Sequence, residues 1–598
     1  MKQSEKKKLD KENNKQVYFL SGLILLTILV FANSLSNGFT NWDDSSYIIE
    51  NPAVKDFSLD KMGTMFTSLS DNIYQPLTIF SFAVEYKLAG LNPGLFHMDN
   101  LLLHIINVFL VFFLFNLITG RWEASVIIAL LFGIHPLHVE SVSWITERKD
   151  VLYTVFYLAG LIAYMKYFNQ PGKNKFYIWT VVLFLLSIMA KPTAATFPLV
   201  LLLLDYYFNR GFGKKVILEK IPFVIISVIT FIVSYINNQL PTQSEYFYPD
   251  YNVIDKFFFA FYSIAFYLVK FIAPVYLSTL YPFPMKSGGA LPVWFYISPL
   301  LILGIVIFII KVKSDFKKEI VFGSLFFLLT IAPMVQLKQI GHAITADRFT
   351  YVAYLGLFFI LGKLYVRFVD LNKLNAKKYF IVAFVLFTAF FSYQTYSRNN
   401  VWKNSINLWT DVISQFPDNP IAYKNRGNAL AEIGKYELSI KDFSKAIELN
   451  YRRGVIYYDR GNSKSMLNDF KNAIIDYDSS IAFRPDDMRT YYNRGLAKYY
   501  SSDFKGALMD FNKAIELDNS RPEVYNNRGL VKSYLNDSLG ALQDFDKSIE
   551  INPKYGLAYL NRGNLKKTLN KLSDACDDWK IASSYGIKDA SDKLKECK

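Results

Sequence analysis

The sequence predicts an all-α protein in two parts, a polytopic bundle of membrane helices with about 11 crossings followed by a tetratricopeptide α-solenoid. Two observations carry that prediction. Apolar runs long enough to cross a bilayer core of about 30 Å, which takes roughly 20 helical residues, recur up to residue 398, and none follows it. Beyond that point an Asn/Asp-Arg-Gly tripeptide returns every 34 residues. Composition agrees with both parts: at 52% hydrophobic and 17% aromatic residues, a chain of 598 residues is no disordered tail. The net charge of +15 first invites a nucleic-acid reading. Its placement decides otherwise, as the elements show.

The first apolar run, Val17 to Ser36, follows a basic tail, residues 1–16, that holds Lys2, Lys6, Lys7, Lys8, Lys11 and Lys15. No small-residue cleavage site follows, so the run reads as an uncleaved anchor with the tail in the cytoplasm. An outer loop, 37–96, comes next. Further runs lie near 97–118, 123–139, 149–168, 176–191, 194–208, 219–237, 257–280, 293–311, 319–337, 348–368 and 379–397. If all of them crossed, Lys311, Lys313, Lys317 and Lys318 would face outward. Letting 257–280, which contains Lys270 and Pro274, enter and leave on one face removes the conflict. The basic segments 165–175, 209–220, 311–319 and 363–378 then all lie inside. The expected protein is thus a multi-pass protein of the inner (plasma) membrane, with everything after 398 extracytoplasmic. The charge is an orientation signal, and no nucleic acid is expected as a partner.

Residues 399–598 read as about five 34-residue repeats with a leading half repeat and a closing helix. Gly427, Gly461, Gly495, Gly529 and Gly563 keep the period, as do Phe443, Tyr477, Phe511, Phe545 and Trp579. Small residues let paired helices approach and the aromatics fill the seam between them. Trp409 and Pro417 fit the preceding half repeat, and 588–598 the closing helix. Asn425, Asn428, Asn462, Asn493, Asn527 and Asn561 lie near the concave face, with Asn564 beside them. Amide side chains there would bind an acceptor polypeptide through its backbone, or else tie adjacent helices together.

Chemistry is expected in the membrane half, where polar residues are costly unless they have a task. Asn41-Trp42-Asp43-Asp44, then Tyr47 and Tyr74-Gln75-Pro76-Leu77, follow the first helix. A carboxylate at the end of a membrane helix is placed to take a proton from a hydroxyl that attacks a lipid-borne substrate. All five histidines (His97, His104, His135, His138 and His342) lie in this half. His135, His138 and Glu140 lead into Trp144-Ile145-Thr146-Glu147-Arg148-Lys149-Asp150, a dense polar segment between two runs. Arg148, Lys149, Lys191 and Arg348 are the candidate holders of a donor phosphate, with His135, His138, Glu140, Asp150 and Asp347 as supporting polar residues. The spacing of His135, His138 and Glu140 matches no zinc motif, so no metal site is assigned. The sequence requires no cofactor, and a divalent cation is left open. No phosphate-cradling glycine loop of the nucleotide-binding kind is present, in keeping with a lipid-linked donor.

The acidic pair, the segment from His135 to Asp150, Lys191-Pro192, Ala346-Asp347-Arg348 and the 34-residue array together resemble the transmembrane and tetratricopeptide repeat-containing O-mannosyltransferases. Those are GT-C glycosyltransferases, and this chain looks like a bacterial relative. The resemblance implies inverting transfer of a hexose, mannose in the characterised relatives, from a polyprenyl-phosphate carrier to Ser/Thr hydroxyls of exported polypeptides. It also implies that the acidic pair, Asp43 and Asp44, is catalytic, with Asp43 as base and Asp44 as a positioning group or second carboxylate. Three other readings compete with it: a non-enzymatic membrane scaffold, a carrier of lipid-linked sugars, and a glycosyltransferase acting on envelope glycans or lipids. A scaffold would scatter its polar residues, and a carrier would place its charges at mid-membrane depth. Cys576 and Cys597 could staple the closing helix to the last repeat in an oxidising compartment, although sequence does not give their distance.

Overall fold

The computed structural model describes residues 2–597 except 68, 70–72, 171–173, 212, 238–250, 336–340 and 372. The described residues are helical almost throughout, apart from one short pairing of Tyr281–Pro282 with Ala343–Thr345. The chain divides into two compact units, Met1–Pro417 and Asp418–Lys598.

In the first unit seven helices of the described residues are long and apolar enough to cross a membrane, or eight if one bent pair counts as a span. That pair, Trp122–Ile134 and Pro136–Ser143, bends by 53°. Its cause is local: Pro136 has no N–H to continue the ladder and holds His135 in an extended conformation. Three of the eleven expected crossings are shorter helices, Asn174–Ala190, Phe197–Tyr207 and Lys317–Ile331, of 17, 11 and 15 residues. At 1.5 Å per residue they reach roughly 26, 16 and 22 Å. Length alone therefore supports seven or eight crossings.

The segment expected to be re-entrant forms a helix, Val253–Ile272, opened by a reciprocal cap between Asn252 and Asp255. It stops before Pro274, where the Lys270 ammonium donates to the carbonyls of Val275 and Tyr276. The Tyr-rich stretch that precedes it, 238–250, lies outside the described residues. Close helix packing is visible at Gly323 and Gly356, where a Cβ on either would meet the other's carbonyl oxygen at 2.4 or 2.2 Å. Only glycine permits that approach of Lys317–Ile331 to Thr350–Asp370.

The second unit consists of five helix pairs and a closing helix, from Pro420–Glu432 with Tyr436–Glu448 to Gly556–Thr568 with Leu572–Ser584, then Lys588–Lys593. The two periodic features of the sequence touch one another. A Cβ on Gly427, Gly461, Gly495, Gly529 or Gly563 would strike Phe443, Tyr477, Phe511, Phe545 or Trp579 at 2.7 to 2.9 Å. Each preceding arginine clamps an aspartate of the partner helix, as Arg494 clamps Asp510 at 2.9 and 2.6 Å. The tight turns put Asn468, Ser502, Asn536 and Asn570 in the left-handed region, with Gly434 in the first repeat.

Cys576 and Cys597 are bonded, tying the last long helix to the C-terminal turn. With the two positions 21 apart in the sequence, the closed loop stabilises by roughly 3 kcal/mol. Reduction, or Cys597→Ser, is expected to speed amide exchange in 585–597 and to leave the earlier repeats protected. Hydrogen exchange with and without reductant measures it, and equal protection would mean that the staple does no stabilising there.

The expected boundary near 398 also moves. Residues 399–417, including the helix Ser405–Gln415 assigned to the leading half repeat, belong to the first unit. The reason is a line of indoles: Trp409 packs on Trp42, Trp42 on Trp144, and Trp144 on Trp402, with centroids 5.1, 5.1 and 5.2 Å apart.

Candidate active site

The loop that carries the acidic pair is pinned before it begins. Asn37 donates to the Asn399 carbonyl at 3.1 Å, the Gly38 N–H to the Lys403 carbonyl at 2.9 Å, and the Asn41 N–H to Ser405 Oγ at 2.9 Å. Asn399 in turn donates to the Val30 carbonyl and accepts from Ser143. The end of the first helix and the end of Leu374–Asn399 thus fix the loop from both sides.

The two carboxylates differ sharply. Asp44 is buried, at 1% exposure. One of its oxygens accepts from the Thr40 N–H and hydroxyl at 2.7 and 3.0 Å; the other accepts from Trp144 Nε1 at 3.0 Å, the Thr146 N–H at 3.2 Å and the Thr146 hydroxyl. It closes the loop onto the segment that follows the bent pair. Asp43 is 33% exposed, and its nearest ionic neighbour is Lys149, at 4.0 Å. Desolvation pushes the Asp43 carboxyl up to about 6, with Lys149 opposing the shift. Burial also raises Asp44, against the pull of its Thr146 and Thr40 hydrogen bonds. Asp43 is the carboxylate with a free edge.

Behind Asp43 lies a buried ionic cluster with Glu147 at its centre. Glu147 meets Lys149 at 3.1 Å, Arg348 at 3.2 Å and Lys191 at 3.5 Å. Lys191 also meets Asp150 at 2.5 Å, and Asp150 accepts from Ser141 at 3.1 Å. Arg348 pairs with Glu140, whose second oxygen accepts the Arg348 N–H at 3.0 Å. The Arg348 guanidinium lies over Trp144 at 5.4 Å, and the Lys149 ammonium over Tyr47 at 5.0 Å. Lys149, Lys191, Arg348, Glu140 and Asp150 are therefore brought together next to Asp43. Asp347 adjoins them and accepts from the Tyr281 hydroxyl at 2.9 Å.

Three of the expected residues stand elsewhere. Arg148 is directed away from the cluster, paired with Glu85, bonded to Asn100 and the Phe96 carbonyl, and laid on Phe82. Burial raises the Glu85 carboxyl to about 8 against the pull of Arg148. As neighbours at the start of one helix, Arg148 and Lys149 point to different faces, so the first stands apart from the cations beside Asp43. His135 and His138 sit among aromatic rings: His135 against Phe391, Tyr354 and Phe271, and His138 against Phe132 and Tyr351. Neither joins the ionic cluster. Among the described residues, no group of three or more His, Cys, Asp or Glu side chains is arranged to hold a metal ion.

The sequence places Glu147, the hub, in the polar segment but gives it no role, and it does not single out Glu85, Asn399 or Trp402. Glu147 sits beside Arg148-Lys149, which is a local signal. Its contacts with Lys191 and Arg348 come from tertiary packing alone.

In the array the asparagines bond across repeats. Asn493 donates to Asn462 and to Tyr458 at 2.9 and 3.1 Å, Asn527 to Tyr492 at 2.9 Å, and Asn561 to Asn526 at 2.9 Å. Asn428 lies between Lys424 and Asp459, each 3.3 Å away. Asn425 also has a partner. Of the two expectations for these residues, the ties between adjacent helices are the ones seen.

The tetratricopeptide repeat family matches residues 420–450, 489–521 and 522–555. A protein O-mannosyl-transferase of Caenorhabditis elegans is 26% identical over 455 residues, which are 72% of this chain and 62% of that protein. The Homo sapiens protein O-mannosyl-transferase TMTC3 is 31% identical over 189 residues, 30% of this chain and 20% of that one. The chain thus covers less than two thirds of the length of these relatives. Among solved structures, the tetratricopeptide protein YrrB, described as having an unusual peptide-binding site, matches 31% of this chain and 97% of its own at 21% identity, with a TM-score of 0.28. Apolar helices, matched repeats and these relatives together make the chain an integral membrane protein related to the transmembrane and tetratricopeptide repeat-containing protein O-mannosyl-transferases.

Proposed function

We propose that the protein is a membrane glycosyltransferase that moves a hexose, mannose in keeping with the names of its relatives, from a polyprenyl-phosphate donor to Ser/Thr hydroxyls of exported polypeptides. The observation that carries this reading is the division of labour in the acidic pair: Asp44 is locked by five donated hydrogen bonds, and Asp43 has an exposed edge beside buried cations. An acceptor oxygen forms its bond to the anomeric carbon from the face opposite the phosphate, and its proton passes to Asp43. The carbon–oxygen bond to phosphate breaks, and the electron pair leaves on the phosphate. Displacement from the opposite face inverts the anomeric centre.

Lys191 and Arg348, 12% and 19% exposed at their side chains, are the cations with edges open to a phosphate oxygen. Glu147, Glu140 and Asp150 hold them in place, so little reorganisation accompanies charge development. The tail and the basic segments favour a cytoplasmic N-terminus at the inner membrane, and the Cys576–Cys597 bond favours an oxidising compartment for the array. The array would then present the acceptor, with its asparagine ties keeping the concave face rigid.

The test is transfer itself. Membranes containing the protein are given labelled polyprenyl-phosphate hexose and an exported Ser/Thr-rich polypeptide, and the product is read by mass spectrometry. A hexose on a Ser or Thr is expected. Label found only on glycan or lipid, or none transferred, would end the protein-acceptor reading.

A further inference from the structure

We propose that Trp409, with Ser405 on the same helix, is a positioning residue for the reaction: the helix Ser405–Gln415 sets where the Asp43 carboxylate stands. The inference rests on the glycosyltransferase reading and adds to it the groups that hold its base in place. The helix is itself firmly seated. Asn404 caps it, accepting the Asn407 N–H at 2.9 Å, and Leu408, Trp409 and Val412 make an apolar face no more than 1% exposed. Arg398 Nη1 donates to both oxygens of Asp411 at 2.8 Å, and Gln415 Nε2 donates to the Leu277 carbonyl at 2.7 Å. A support fixed along its whole length imposes position on what it touches.

It touches the acidic loop at three points. Ser405 Oγ accepts the Asn41 N–H at 2.9 Å, Trp409 Nε1 donates to Asn41 Oδ1 at 2.8 Å, and the Trp409 ring packs on Trp42 with centroids 5.1 Å apart. Trp42 in turn meets Trp144 at 5.1 Å, and it directly precedes Asp43 in the chain. On the other side, the Asp43 carbonyl accepts the Tyr47 N–H at 3.0 Å, and the Asp44 carboxylate is bonded to Thr40, Trp144 and Thr146. The backbone is therefore held before and after Asp43, which leaves its carboxylate the two torsions of its own side chain. A base held this way meets its proton in one geometry, and a misplacement of about 1 Å can cost about 10² in rate.

The full-length protein in lipid nanodiscs allows the test. Trp409→Phe keeps an aromatic ring and removes the donor to Asn41. At a pH where Asp43 is ionised in both proteins, kcat is expected to fall about 10- to 100-fold, with KM for the lipid-phosphate hexose within about twofold. The acid limb of the profile should move as well. Asp43 faces Lys149, Glu147, Arg348 and Asp44, and burial is the main cause that lifts its carboxyl to about 6. A loosened loop admits water, so the limb should shift to lower pH. Ser405→Ala, a smaller change, should give the same pattern more weakly, and amide exchange across 39–49 should quicken in both variants. A kcat within about twofold of wild type in both, an acid limb that stays in place while kcat falls, or unchanged exchange would overturn the positioning role. Absence of transfer by the wild type counts against the glycosyltransferase reading instead. The exchange comparison needs no turnover and still decides whether this helix holds the loop.

Discussion

Asp43→Asn is expected to lower hexose transfer by about 10² to 10⁴, the range that a positioned general base supplies. The substitution keeps the shape of the side chain and gives up only a 4.0 Å approach to Lys149, so folding should be intact by circular dichroism. The wild-type pH profile carries the same information. Desolvation raises the Asp43 carboxyl to about 6. Protonation removes its ability to accept a proton, so kcat/KM should fall as pH drops through about 6, and that limb should be missing from the residual activity of Asp43→Asn. Wild-type transfer by the variant, or an acid limb that survives in it, would remove Asp43 from the base role.

Glu147→Gln is expected to be the most destabilising single change in the cluster. It strips the shared anion from Lys149, Lys191 and Arg348, three cations no more than 19% exposed at their side chains. Removing one member of a buried ionic network costs about 3–5 kcal/mol, because the charges left behind stay desolvated. The midpoint of thermal or denaturant unfolding in detergent, followed by tryptophan fluorescence, gives the value. A loss below about 1 kcal/mol would show that Asp150 and Glu140 suffice for the three cations. The two variants separate the roles of neighbouring carboxylates: the first should fold and not react, the second should fold poorly.

The contrast marks how far the sequence could be read. The array was legible almost to the residue, because its period places Gly495 and Phe511, sixteen positions apart, on facing helices where they touch. The acidic pair stands out in sequence only beside the other polar segments and the resemblance they carry, and the structure sets its Asp43 next to Lys149. What the sequence did not yield is the partner of each charge. Arg148 and Lys149 are adjacent and alike, yet one faces Glu85 and the other Glu147, and only the rotation of the helix that begins there separates them. The histidines misled for a related reason. His135 and His138 stand close to Glu140 in the chain, but their rings pack into an aromatic cluster while Glu140 pairs with Arg348. Short membrane helices were hard to judge as well, since an apolar run reports composition and not where the helix stops.

The indole line from Trp409 to Trp402 has a consequence for modularity. The stretch 399–417 has the rhythm of a repeat and the allegiance of the membrane unit, since Asn399, Ser405 and Trp409 hold the loop that bears Asp43 and Trp402 stacks on Trp144. The natural seam of the molecule is therefore after Pro417. Lineages, or engineers, that exchange one repeat array for another at that seam keep the acidic loop in its socket, whereas a graft at 398 would discard the socket with the repeats.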